Sequence, residues 1–173
     1  MSRFVHLPRL LTVLVATLLL TGCAGYQLGT GTQPKFTSLF IAPVTTEALI
    51  PQARELVTTQ LREAFLKDGR VKLVASPAEA DAVLRISLIG YDRTVAVSRQ
   101  DDTGLARRFD VSLRAQATLS DQRTQQVLFA DRQLIAKRGV FTDSGLVPAE
   151  YQALSLLAEQ LASETAHAVL DTW

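Results

Sequence analysis

At 173 residues the chain has the length of one ordinary domain, and its 47% hydrophobic content is enough for a real core and too high for a disordered chain. It carries 18 Lys and Arg against 17 Asp and Glu; Arg3 and Arg9 lie in the first 22 residues, which hold no acid, so residues 23–173 carry 16 basic against 17 acidic side chains. That balance argues against a nucleic-acid partner, which calls for a basic excess, and a single cysteine excludes an intramolecular disulfide.

Residues 1–9 form a short basic segment, and Leu10 to Leu20 form an apolar one interrupted only by Thr12 and Thr17. Eleven residues are too few to cross a hydrocarbon core of about 30 Å, which takes about 20. Leu20-Thr21-Gly22-Cys23 then resembles the bacterial lipoprotein signal, with Leu three residues before the cut, small residues next, and Cys first after it. The types suit the chemistry: small residues let a peptidase reach the backbone, and the thiol takes the lipid. Residues 1–22 are thus expected to be a signal peptide, and Cys23 the lipidated N-terminus. The resemblance implies S-diacylglyceryl and N-acyl groups on Cys23 and no other cofactor. Three chains matter, because a single chain, at roughly 0.8 kcal/mol per buried CH₂, holds only marginally. Ala24 follows Cys23, not the Asp that signals inner-membrane retention, so the resemblance implies an outer-membrane anchor facing the periplasm. Residues 23–35, rich in Gly and Thr, read as the tether.

From Leu39 to Ala42 a short apolar run, closed by Pro43, predicts a strand. Pro51 opens a helical pattern in which Ala53, Leu56, Val57, Leu61, Ala64 and Phe65 share a face, and Gly69 is placed to cap it. Val71 to Val74 is a second short strand, so strand, helix and strand should form a βαβ unit with parallel strands and a right-handed crossover. A long strand follows from about Ala82 to Ser98. Its apolar residues are even-numbered up to Leu88 and odd-numbered from Tyr91, and a parity switch at Gly90 predicts a β-bulge. After a turn at 100–104, Phe109 to Leu119 alternate cleanly between apolar and polar. Val127 to Lys137 form a further strand with weaker alternation, and Tyr151, Leu154, Ala158, Leu161, Thr165 and Ala168 mark a last helix behind Pro148. The fold class is therefore α/β (α+β): a single domain over 36–173, with a mixed sheet of about four to five strands and two helices on one face. The other face, carrying Arg85, Ser112, Arg114, Gln116 and Thr118, stays polar.

Nothing in the chain announces an enzyme. His167 is the one histidine after the signal, and its neighbours Ala166 and Ala168 offer it no partner. With one histidine and a lipidated cysteine, a zinc site is nearly excluded. Asp101 and Asp102 beside Gly104 read as turn formers, and Gly25, Gly29 and Gly31 lack the Lys-Ser/Thr of a phosphate loop.

Cys23-Ala24-Gly25-Tyr26-Gln27-Leu28, together with the order tether, strand, helix, short strand, long hairpin, strand, helix, resembles the lipopolysaccharide-assembly lipoprotein family LptE across residues 23–173. Gly29 departs from the pattern, since many members carry Arg there, and the chain lacks the long polar tail of some members. The resemblance implies a non-enzymatic plug inside the LptD β-barrel, which helps to assemble that barrel and passes lipopolysaccharide to the outer leaflet. It also points to the tip of the long hairpin as a lipopolysaccharide contact, with Arg99 leading in and Arg107 and Arg108 leading out. The guanidinium fork suits the phosphates of lipid A. Solvated arginines paired with nearby acids are the plainer reading of the same residues. A scaffold lipoprotein of another envelope complex and a lipoprotein enzyme are the competing functional readings.

Overall fold

The computed structural model describes residues 33–47, 50–97, 108–141 and 146–171. Strand β1 (Ser38–Ile41) is followed by β2 (Thr45–Thr46), helix α1 (Pro51–Asp68), β3 (Lys72–Leu73), a 3-10 turn (Pro77–Glu79), the long strands β4 (Ala82–Val97), β5 (Arg108–Asp121) and β6 (Val127–Phe141), and helix α2 (Leu146–Leu170). They form one mixed sheet in the order β3-β1-β4-β5-β6, with β2 alongside β4. β1 runs parallel to β3 and to β4, as the βαβ reading requires, and β4, β5 and β6 are antiparallel. Six strands replace the expected four to five. The extra one is β2, two threonines paired with Ser87 and Leu88, too short to leave an apolar pattern.

Both helices cover the same face. α1 starts at Pro51, whose fixed φ suits a first turn, and ends at Gly69, whose φ of +75° is left-handed; the Gly69 N–H donates to the Phe65 carbonyl at 3.1 Å. Ala53, Val57, Leu61 and Phe65 are buried, four residues apart, with Leu56 and Ala64 at the rim. On α2 the buried stripe is Leu154, Leu157, Ala158, Leu161, Thr165 and Val169. Tyr151 is not part of it: that ring is 61% exposed and Ala153 takes the inward place. Thr165 is the buried polar side chain of the core, and its hydroxyl donates to the Leu161 carbonyl at 2.6 Å.

The bulge in β4 lies where the parity switches. Leu88 faces Ala115 and Gly90 faces Arg114, so Ile89 is the extra residue, and from there odd residues such as Tyr91 face the helices. β6 extends to Phe141, and its weak alternation has a physical cause. Between Ala117 and Ser120, three steps along β5 are matched by five along β6, from Arg132 back to Val127, and Asp131 takes a φ of +49° in the distorted stretch. Each extra residue reverses which face the next side chain takes.

Candidate functional site

On β5 one face is Val111, Leu113, Ala115, Ala117 and Leu119, all buried under the helices, while the opposite side chains look out from an uncovered sheet face. Ser112, Arg114, Gln116 and Thr118 lie on that open face, with Arg85 exposed on β4 next to it, as the alternation predicts. Two glycines shape the face. Gly90 lies opposite Arg114, and a Cβ there would stand 2.6 Å from the Arg114 Nη2; the missing side chain lets the guanidinium lie across β4. Arg114 Nε sits 2.9 Å from Asp92 Oδ2 and is shielded from water, but it is not aligned for a hydrogen bond, so the contact is an ion pair without that directional component.

Gly139 does the same for Arg108, whose Nε lies 3.0 Å from where a Cβ would be. Arg108 also stacks over Phe141 at 5.7 Å and reaches the Asp110 carboxylate at 3.5 Å. Around it lies a concavity of about 520 Å³ lined by Thr94, Asp110, Ser112, Lys137 and Arg138. Arg108 and Lys137 stand there against one carboxylate, with two hydroxyls between them, an arrangement that matches a phosphate or a phosphorylated sugar, while Arg138, opposite the buried Val111, takes the helix side of the sheet. Lys137 faces Ser112 directly across the ladder. The sequence singles out Arg108 but not Lys137. Only the cross-strand register brings them together, and the displaced alternation of β6 conceals that register. Arg99, Arg107, Asp101, Asp102 and Cys23 lie outside the described residues.

The other polar contacts hold the frame. Asp81, at the head of β4, accepts from the Thr37 N–H at 2.9 Å, the Thr37 hydroxyl at 2.8 Å and the Ser38 N–H at 3.0 Å. Those donors hold its carboxyl down at about 2, and they fasten the start of β1 onto the sheet. Arg70 ties Asp68 to Asp171, at 2.7 Å each, joining the end of α1 to the end of α2. The Arg70 hydrogen bonds in turn lower the Asp68 carboxyl. Arg93 pairs with Glu150 and stacks on Phe109, pinning the upper part of β4 to the first turns of α2. His167, read from its immediate neighbours as partnerless, has one a helical turn on: its Nδ1 is 2.7 Å from Asp171. Among the described residues there is no cluster of three or more metal-binding side chains, and no helix is long and apolar enough to cross a membrane.

Two solved structures share this architecture. Protein XCC0632 from Xanthomonas campestris is 15% identical, with a TM-score of 0.59, covering 83% of this chain and 89% of its own. The hypothetical protein CT253 from Chlamydia trachomatis is 13% identical, with a TM-score of 0.55, covering 77% and 95%. At such identities the likeness is one of fold. No curated protein matches the chain. The family model described as "LptE: Lipopolysaccharide-assembly" matches residues 36–167, from the strand that leaves the tether almost to the end of α2. The chain therefore belongs to the LptE lipopolysaccharide-assembly family.

Proposed function

We propose that the chain is a non-enzymatic outer-membrane lipoprotein, anchored through lipid on Cys23, that plugs an LptD-like β-barrel, helps to assemble it and assists lipopolysaccharide transport to the outer leaflet. The observation that carries this reading is the family match over residues 36–167. The fold supports it physically. A sheet with one uncovered face of hydroxyls, amides and paired charges suits a water-filled, polar barrel lumen, where an apolar face would not. In this reading Arg108 meets lipid A phosphates, together with Arg99 and Arg107, which flank the same segment in sequence. Lys137, on the same sheet face, extends the cationic rim. Partners in this reading are the barrel, lipopolysaccharide and, through the lipid, the membrane. The scaffold of another envelope complex is the second reading.

Two measurements test the reading. Intact mass of protein extracted from membranes should show a chain beginning at Cys23 with diacylglyceryl and acyl groups. An unmodified N-terminus, or a chain starting elsewhere, contradicts the anchor, and Cys23→Ala should leave a soluble or unprocessed precursor. Replacing Arg99, Arg107 and Arg108 together with Glu should weaken lipopolysaccharide binding while leaving thermal stability and barrel association in place. Unchanged binding in that variant retires the hairpin tip as the contact.

A further inference from the structure

A second concavity, of about 530 Å³, lies outside the carboxyl ends of β1 and β3. One wall is the apolar run from Phe40 to Val44, where β1 ends; the other is a stripe of α1 formed by Arg54, Thr58 and Arg62 at intervals of four. Three features make it a binding groove. The first is position. The groove opens at the carboxyl ends of the parallel strands β1 and β3, beside α1, the helix that connects them. The second is the early end of β3. Its pairing with β1 stops at Leu73 opposite Leu39, whereas β1 runs on to Ile41, paired there with Leu84 of β4. No β3 residue fills the space beside the last part of β1.

The third is charge. Arg54 is paired at 3.0 Å with Glu55, the residue next to it, but the side chains are 53% and 73% exposed, so the pair is weak and exchangeable. Arg62 is in no ion pair among the described residues. The Thr58 hydroxyl donates to the Arg54 carbonyl at 2.7 Å, and Glu55, which also lines the groove, engages the Nε and Nη2 of Arg54, so Arg62 supplies the uncommitted donors of that wall and Arg54 joins it when its exposed pair with Glu55 opens. A soluble anion would leave the apolar wall unused, and a neutral chain would leave the arginines unused. We propose that the groove binds a small amphiphile with one anionic head, carboxylate or phosphate, held by Arg54 and Arg62, with its apolar chain along Phe40 to Val44. The groove shares no residue with the Arg108 concavity and its occupancy needs no barrel.

The test uses the full chain in a non-ionic detergent with a photoactivatable lauric-acid analogue as probe, the sites of attachment being mapped by mass spectrometry. Attachment should concentrate on residues 40–44 and 54–62. Dodecyl phosphate and laurate should both compete, the better competitor identifying the head group, while excess dodecyl maltoside should not. Arg54→Glu with Arg62→Glu should cut attachment by about tenfold, the loss of roughly one good charge-assisted contact. Because both positions are exposed on α1, the variant should keep its cooperative melt, and Arg62→Gln alone should give an intermediate loss. Attachment spread over the apolar surface, attachment gathered instead at Lys137 and Phe141, equal competition by the neutral detergent, or no response to charge reversal would each overturn the proposal. None of these outcomes bears on barrel association.

Discussion

The two faces of β5 are built from neighbouring residues and obey different rules. Facing the helices, Val111 to Leu119 at every second position are sealed from water and fill a shared core with α1 and α2. Facing out, every second residue from Asp110 to Thr118 is polar, and the guanidinium groups of Arg114 and Arg108 lie against Gly90 and Gly139, which make room for them. The inner face is settled by packing, where volume and shape decide. The outer face contributes little to holding the fold, and its side chains are free to be chosen for what they meet. Partner-facing chemistry is expected on the second surface for that reason.

The widest gap between the faces should appear on truncation. Leu113→Ala, at a side chain with 0% exposure, should cost roughly 2–5 kcal/mol in a denaturant melt. Gln116→Ala, three residues on and facing out, should stay within about 0.5 kcal/mol. Comparable losses at the two positions would break the distinction. A middle-sized effect belongs to the seam where the chain enters the sheet. Asp81→Ala removes the acceptor of three hydrogen bonds and should cost about 1–3 kcal/mol. The sign with pH follows from a carboxyl held at about 2, below its ordinary 3.8. The carboxylate's contribution is fully present above about pH 4 and is lost as pH falls toward 2. Stability curves measured between those limits should be steeper for the unaltered chain than for Asp81→Ala.

The smallest effect sharpens the account of the outer face. In Gly90→Ala the new methyl meets the Arg114 Nη2, the far end of a flexible side chain, so the cost should be about 1 kcal/mol or less. In an Arg114→Ala background the same change should be neutral or slightly stabilising, and a double-mutant cycle would read the coupling. No coupling would mean that Gly90 serves the bulge alone.

Most of this architecture is written in local pattern. The alternation of β5 and the parity switch at Gly90 can be read directly, because each side chain's face follows from a strict period of two. In β6 the residues inserted near Leu128 and Asp131 break that period, and the strand is legible only in outline. β2 is two threonines held by β4 and has no pattern of its own. The Arg108 concavity is half legible: its arginine is singled out by the charged sequence before it, but Lys137 joins it through register, which a single strand's sequence does not specify. The His167–Asp171 pair is legible in another way, through a spacing of four on one helix, and immediate neighbours hide it. Tyr151 fits the helical spacing yet faces water, since α2 turns Ala153 and Leu154 toward the sheet there.

The central claim is that this lipoprotein is the partner of a single large outer-membrane β-barrel. Extracting the native envelope in mild detergent, isolating the tagged full-length chain and measuring the stoichiometry of what comes with it tests this most directly. An LptD-like barrel at a one-to-one ratio, retained through salt washes that strip weakly held proteins, is the predicted result. Isolation of the chain without a barrel, or with a different envelope machine at fixed ratio, would contradict the claim and favour the scaffold reading.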